Sequence, residues 1–331
     1  MSDSCAIYLD VGTTNTRIWL ARGQQIIARG NSMVGVRDTA RDGSSDRLRM
    51  ALRDLILEVS AHPQAEQSEV SFIAAAGMIT SSLGLVELPH IEAPAGIDEL
   101  SANLSSFEFP EITSLPVFLV PGLRTGPLTV DLNSIDRSDL MRGEETMCMG
   151  LIASGLARKP CTILNLGSHW KVISIDRRGK ITGSMTTLSG EMIHTTQTQT
   201  ILASAVPHTR PESLAPHWLD AGMLEQRRSG LARAMFCVRL LEQGGRSTPE
   251  ERLSFLAGAF IASDFDALIE RKILIDPVII TGGGAIADAW RRALTAAAIE
   301  TAVISPEELE KSYVAGLFCL IKEEGLRNRR K

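Results

Sequence analysis

Apolar positions along this chain fall into short runs punctuated by glycine turns, and one such cluster occurs twice. Ile7-Tyr8-Leu9-Asp10-Val11-Gly12-Thr13-Thr14 is followed by Ile18-Trp19-Leu20, a turn around Arg22-Gly23 and a further run at Ile26-Ile27-Ala28. Thr162-Ile163-Leu164-Asn165-Leu166-Gly167-Ser168-His169 is followed by Val172-Ile173-Ser174-Ile175, a turn at Arg177-Arg178-Gly179, and Ile181-Thr182-Gly183. Gly12 and Gly167 are 155 positions apart, as are Ile26 and Ile181. The pattern therefore predicts strand, polar loop, strand, turn, strand, twice over. A glycine directly after an apolar strand permits a sharp turn that aims backbone N–H groups at an anion; two ordinary hairpins would leave the same trace.

Helical spacing accounts for much of the rest. Leu48, Leu52, Leu55, Ile56 and Val59 form one stripe of a helix over 46–60, and further helices are predicted over 139–156, 230–243, 249–272, 285–298 and 306–325. Pro277 to Thr281 reads as a strand that runs into Gly282-Gly283-Gly284 and another helix. Strands alternating with helices predict an α/β protein whose sheets are covered by helices. At 331 residues the chain exceeds the usual limit of a single core, about 250–300 residues, so two lobes are expected.

Composition narrows the classes. A net charge of −5 gives no reason to expect nucleic-acid binding, and the dense basic run Arg327-Asn328-Arg329-Arg330-Lys331 reads as a solvated end. No run reaches the length of a membrane span, and a cytoplasmic protein is expected. Five cysteines without C-x-x-C spacing read as reduced thiols. The histidines form no zinc-ligand pair, so a metal would be held by oxygen.

Phosphate chemistry needs donors for the phosphates, an oxygen ligand for magnesium and a group for the attacking hydroxyl. Asp10, at a strand end before Gly12, Thr13 and Thr14, suits Mg²⁺ or its waters, and suits a turn cap equally in kind. The second loop has Asn165 in place of the carboxylate, then Gly167, Ser168, His169 and Lys171. His169 reads as a donor, an acid/base or a structural histidine, and Lys171 as a phosphate or carboxylate partner or a solvated strand lysine. No Walker A sequence is present. Gly282 to Ala287 fits the loose G-x-G-x-x-A pattern, with Glu300 at a tolerable distance for a ribose contact, but too little chain follows for a full dinucleotide fold. Adenine and ribose are accordingly placed at Gly282, Gly283 and Gly284. Met141-Arg142-Gly143-Glu144-Glu145-Thr146 puts two carboxylates and an arginine at a helix start, where they complement the dipole or serve as base and carboxylate grip. Ala76 to Gly84 and Pro121 to Thr125 read as binding loops or plain connections.

With these residues in view, the chain resembles the 2-dehydro-3-deoxygalactonokinase family of sugar-acid kinases, in the actin-like ATPase superfamily, over nearly its whole length. The marks are Asp10-Val11-Gly12-Thr13-Thr14-Asn15, Ala76-Gly77-Met78, Val120-Pro121-Gly122-Leu123, Met141 to Thr146 and Ser189-Gly190-Glu191. The resemblance implies duplicated ribonuclease H-like lobes, 1–157 and 158–331, around an ATP and substrate cleft. Helices over 139–156 and 312–326 would connect them, the latter packing back on the first lobe. It implies ATP and Mg²⁺ as cofactors, with Asp10 near the metal. Gly12, Thr13, Thr14, Asn15, Arg17, Gly167 and Ser168 would lie at the phosphates, and Gly282 to Gly284 at adenosine. Gly77, Met78, Arg124, Arg142 and Lys171 would serve the sugar acid, and the base is one of Glu144, Glu145 and His169. The expected reaction is transfer of the ATP γ-phosphoryl to the 6-hydroxyl of 2-dehydro-3-deoxy-D-galactonate. A kinase for the gluconate-derived epimer, a non-catalytic sugar or nucleotide sensor, and an NAD-binding oxidoreductase are the competing readings. A homodimer is compatible with all of them.

Overall fold

The computed structural model describes residues 5–63 and 70–328, with side chains as far as residue 322. The basic terminal run, expected to be a solvated end, lies outside the described side chains. The chain divides into two compact units, Met1–Lys159 with Asp176–Gly183 and Glu307–Lys331, and Pro160–Ile175 with Ser184–Pro306.

In the first unit, strands β1 (Cys5–Val11), β2 (Thr16–Arg22) and β3 (Gln25–Ser32) form an antiparallel meander. After it come β4 (Val70–Gly77), β5 (Ile91–Glu92), β6 (Ser105–Phe107), β7 (Val117–Leu119), β8 (Leu123–Thr125) and β9 (Asp139–Met141). One sheet runs β3-β2-β1-β4-β7-β6, and a small one β5-β8-β9. β1 lies centrally, parallel to β4, and Asp10 alone among its residues is not buried, which is why the strand reads as a continuous apolar run rather than an alternation. All five stripe residues of the helix Asp46–Ser60 are buried against this sheet's core.

The helix predicted over 139–156 is a correction. Asp139, Leu140 and Met141 pair antiparallel with Thr125, Arg124 and Leu123. Gly143 follows at φ +106°, outside helical space, so the helix is Glu144–Ala153. It crosses the long helix Pro306–Asn328 at two glycines. A Cβ on Gly150 would stand 1.6 Å from the Ser312 carbonyl oxygen, and one on Gly316 2.2 Å from that of Thr146. The crossing is backbone on backbone, closer than side chains larger than hydrogen allow.

A second sheet is made of β10 (Cys161–Leu166), β11 (Trp170–Ile175), β12 (Ile181–Thr187), β13 (Val278–Thr281) and β14 (Thr301–Val303), in the order β12-β11-β10-β13-β14, and belongs to the second unit except for the start of β12, up to Gly183. The unit's central helix, Pro249–Glu270, is apolar on nearly all sides and buried accordingly. Thr248 Oγ1 accepts from the Glu251 N–H at 3.2 Å while Glu251 Oε2 accepts from the Thr248 N–H at 2.8 Å, so a capping box fixes its start. The helices Ser189–Gln199 and Pro216–Ser229 have no counterpart in the sequence reading. Helices expected to end at 272 and 298 stop at Glu270 and Ala296, because Lys272 and Ala298 adopt left-handed φ of 55° and 59°. Among the described residues no helix is long and apolar enough to cross a membrane.

Candidate functional site

The first unit gathers its polar residues around the end of β1. Asp10 faces Arg17 across the antiparallel pair and Ala76 across the parallel one. Its Oδ2 accepts from Arg17, through Nη2 and through Nε at 3.1 Å, and its Oδ1 accepts from the Tyr313 hydroxyl at 3.0 Å. Arg17 is half-exposed, with 48% of its side-chain surface open, so the Asp10 pair is a contact it can leave. Tyr313 is buried; burial first, then Asp10 and Glu145, hold its hydroxyl well above the usual tyrosine pKa, so it keeps its proton and donates.

Two glycines complete the floor. Gly77 sits at φ +89°, and a Cβ there would meet the Val11 carbonyl oxygen at 2.5 Å and Asp10 Oδ1 at 3.2 Å. Gly143 lies beside it: a Cβ would stand 3.2 Å from Gly77 Cα and 3.6 Å from the Tyr313 hydroxyl. The Gly143 N–H donates to both oxygens of Glu145, at 2.8 and 2.9 Å, and Glu145 is fully buried. Glu144 is only half-buried, and its Oε2 accepts from the Arg142 N–H at 3.2 Å. The loop after β1 is braced from behind, its Gly12 and Thr13 carbonyls accepting from the N–H groups of Val36 and Arg37 at 3.2 and 2.8 Å. Thr13 and Asn15 are exposed and Thr14 half-buried at its tip.

Of the substrate candidates, Arg142 is committed to the chain itself. It donates from Nη1 to Thr80 Oγ1 at 2.9 Å and from Nη2 to the Leu88 carbonyl at 2.8 Å, tying down the loop that follows Gly77 and Met78. Burial pushes its guanidinium below the usual value, against the pull of Glu145 and Glu87, in line with a buried cation held by neighbouring charges. Arg124, on β8, pairs with Glu92, while its buried Nη1 has no hydrogen-bond partner.

The second unit repeats the plan with different chemistry. Thr281 Oγ1 donates to Asn165 Oδ1 at 3.0 Å, where the first unit has a carboxylate. Gly282, at φ +90°, approaches the Leu166 carbonyl as Gly77 approaches that of Val11; in each case a Cβ would stand 2.5 Å from the oxygen. The pairing register also explains the slip between the two loops: Asp10 faces Arg17, whereas Asn165 faces Lys171, one residue sooner. Lys171 is thus the counterpart of Arg17 in register, yet it is 5% exposed rather than solvated. Gly167, Ser168 and His169 are exposed, and His169 Nε2 lies 3.0 Å from Glu191 Oε2.

One residue there carried no sequence signal. Asp264, on Pro249–Glu270, accepts from Thr187 Oγ1 at 2.7 Å and also holds Ser189, and burial raises its carboxyl above the usual range against those bonds. It anchors Ser189-Gly190-Glu191 next to the second loop, where a Cβ on Gly190 would meet the Gly167 and Ser168 carbonyls at 2.7 Å. Only the buried polar group gives it away, which a helix rich in apolar residues conceals. Gly283 and Gly284 are exposed and lead into the helix Ala285–Ala296, beside a cavity of about 1060 Å³ lined by Ala285, Asp288, Ala289, Leu214 and Phe265.

Known proteins resemble this chain over most of its length. The family profile of 2-keto-3-deoxy-galactonokinase matches residues 10–320. The 2-dehydro-3-deoxygalactonokinase of Escherichia coli K12 is 23% identical over 300 residues, covering 90% of this chain and 92% of the relative. A crystal structure from Sinorhizobium meliloti, provisionally named 2-dehydro-3-deoxygalactonokinase, superposes with a TM-score of 0.75 at 22% identity, covering 96% of this chain and 98% of the other. The activator of 2-hydroxyisocaproyl-CoA dehydratase from Clostridium difficile, solved with ADPNP bound, superposes with a TM-score of 0.52 at 12% identity, covering 99% and 98%. The fold is that of the actin-like ATPases, and the oxidoreductase reading of the triple glycine is set aside. The chain is an ATP-dependent carbohydrate kinase and belongs to the 2-keto-3-deoxy-galactonokinase family.

Proposed function

We propose that this sugar-acid kinase transfers the γ-phosphoryl of ATP to the 6-hydroxyl of 2-dehydro-3-deoxy-D-galactonate, giving 2-dehydro-3-deoxy-6-phosphogalactonate and ADP, in the cytoplasm. The name of the Escherichia coli relative supports the substrate. The observation that supports the chemistry most is the Asp10 carboxylate at the end of β1, fixed on one oxygen by Tyr313 and on the other by a half-exposed arginine.

Magnesium fits this donor set. Among the described residues no group of three or more His, Cys, Asp or Glu forms a cage, and a kinase magnesium ion takes only one or two protein carboxylates, the rest being water and phosphate. Asp10 would hold it through Oδ2; when bound, it supplies charge neutralisation at the transferring group. Arg17 leaves Asp10 for a phosphate oxygen, and the N–H groups of Gly12, Thr13, Thr14 and Asn15 cradle the phosphates, with Gly167 and Ser168 in the second unit. Gly282, Gly283 and Gly284 and the neighbouring cavity take adenosine.

Glu144 is the base: as the hydroxyl oxygen attacks phosphorus and the bond to the β-phosphate oxygen breaks, the hydroxyl proton passes to its carboxylate. Glu145, bound through both oxygens to the Gly143 N–H, orients the helix start, and His169, paired with Glu191, steadies the second loop. Arg124, Gly77 and Met78 serve the sugar acid, with Arg124 as the grip on its carboxylate, while Arg142 shapes the loop after Met78 and Lys171 neutralises phosphate. In this reading the first unit handles the sugar acid and the second the nucleoside.

A coupled ADP-release assay over a panel of sugar acids, with the phosphorylated position assigned by NMR, tests the proposal. Turnover of the galactonate-derived acid at its 6-position is expected. Stimulation by the gluconate-derived epimer alone would move the substrate, and stimulation by no sugar acid would sink the reading.

A further inference from the structure

We infer that Tyr313 is a positioning residue for phosphoryl transfer, acting by fixing the carboxylate of Asp10; the inference rests on the metal role proposed for Asp10. The two residues are 303 positions apart, and the hydroxyl reaches Oδ1 at 3.0 Å from a buried ring. A phenol at neutral pH donates one hydrogen bond, which holds Oδ1 in place and leaves Oδ2, now bound by Arg17, as the oxygen that exchanges the arginine for a cation.

The aim of that hydroxyl is itself secured. The Tyr313 ring packs on Trp19 with centroids 5.7 Å apart and planes 40° from parallel. Trp19 Nε1 donates to Glu310 Oε1 at 2.7 Å, and Arg29 Nε lies 2.9 Å from both Glu310 oxygens. Glu310 and Tyr313 are three apart on one helix, hence on the same face. Ring, indole and carboxylate thus form a rigid seat that places Oδ1, and the same indole lies under the Arg17 guanidinium at 5.8 Å from its centroid. Without the donor, the Asp10 carboxylate is free to turn about its last torsion and take Arg17 through both oxygens, the strongest pairing available to an arginine.

Tyr313→Phe removes the donor and keeps the ring. It is expected to lower kcat about 10–100-fold, the loss typical of one hydrogen bond to a charged group, and to raise the half-saturating magnesium concentration by a similar factor, with the sugar-acid KM changed less than about twofold. Mn²⁺ binding in the presence of ADP, read by electron paramagnetic resonance, should weaken in parallel without any turnover. A role confined to packing would instead lower the melting temperature and leave the metal dependence unmoved. Adding Tyr313→Phe to Asp10→Asn should slow the enzyme no further, because both act on one group. Wild-type metal dependence in Tyr313→Phe, or losses that multiply in the double variant, would overturn the inference. Wild-type turnover in Asp10→Asn would overturn the metal reading itself, a separate result. Should Tyr313→Phe not fold, Trp19→Phe loosens the seat and leaves the hydroxyl; it should raise the half-saturating magnesium concentration about two- to fivefold, and no change there refutes the inference.

Discussion

Glu144 and Glu145 are neighbours in sequence with opposite surroundings. Glu145 is fully buried and bound through both oxygens to one N–H, whereas Glu144 is half-buried at the open end of the same helix. Glu144→Gln is therefore expected to lose at least about 10²-fold in kcat with little change in melting temperature, as for a general base. Glu145→Gln should cost about 1–3 kcal/mol of stability, since an amide satisfies the Gly143 N–H with one oxygen rather than two, and denaturant midpoints will show it. If the two variants behave alike, the assignment of roles is wrong. At this scale the sequence was informative where polar residues interrupt an apolar pattern: Asp10 at the strand end and the M-R-G-E-E-T run stood out as candidates. Tyr313 did not. A lone aromatic in a helix carries no mark of a partner 303 residues away. The same blindness applies to Asp264, and to the burial of Lys171, whose place in the pattern reads equally as solvated.

Between elements, the crossing of Glu144–Ala153 with Pro306–Asn328 is the least forgiving contact. A methyl group at Gly316 or Gly150 overlaps a carbonyl oxygen of the other helix, so Gly316→Ala should destabilise by roughly 2–3 kcal/mol or more, the range of overpacking that the backbone must absorb. Gly244, at the end of a helix with nothing within 4 Å of its would-be Cβ, is the matched control, and Gly244→Ala should be neutral or gain up to about 1 kcal/mol. Thermal denaturation of both variants separates a helix-propensity effect from the close crossing. A second consequence concerns pH. Because the folded form raises the Asp264 carboxyl above its unfolded value, it binds that proton more tightly. The stability it contributes is present below about pH 4 and is lost as pH rises through the raised value. Asp264→Asn should flatten this part of the profile in urea midpoints measured from pH 4 to 7, and an unchanged slope would refute the claim. Element identity was legible wherever an apolar stripe was long, as in Asp46–Ser60. It failed at Asp139–Met141, where three residues of strand precede a positive-φ glycine and the helical spacing runs straight through them. It failed also at Ser189–Gln199, whose run of threonine and glutamine offers little apolar periodicity.

For the molecule as a whole, ligand linkage discriminates the readings of the glycine turn at Gly282. ATP with magnesium at about 100 times its dissociation constant should add about 2.7 kcal/mol to stability and raise the melting temperature, while NAD at the same concentration should leave it unchanged. The reverse result would reopen the dinucleotide reading. The duplication was visible in the sequence because Gly12 and Ile26 recur at one offset as Gly167 and Ile181, and its divergence was visible in Asn165 for Asp10. The first unit is discontinuous: the helix that bears Tyr313 belongs to it, a return that only the family resemblance implied, and nothing in the linear pattern pointed to Asp176–Gly183.

That discontinuity sets an order of events on the ribosome. Asp10 leaves the tunnel 303 residues before the tyrosine that fixes it, and at about 5–20 residues per second the gap is roughly 15–60 s. Until then the strands of the sheet around β1 lack the helix that crosses Glu144–Ala153 and supplies the ring packed on Trp19. The first half made cannot become the first half finished, and on the proposed reading the Asp10 site is complete only once synthesis has passed Tyr313.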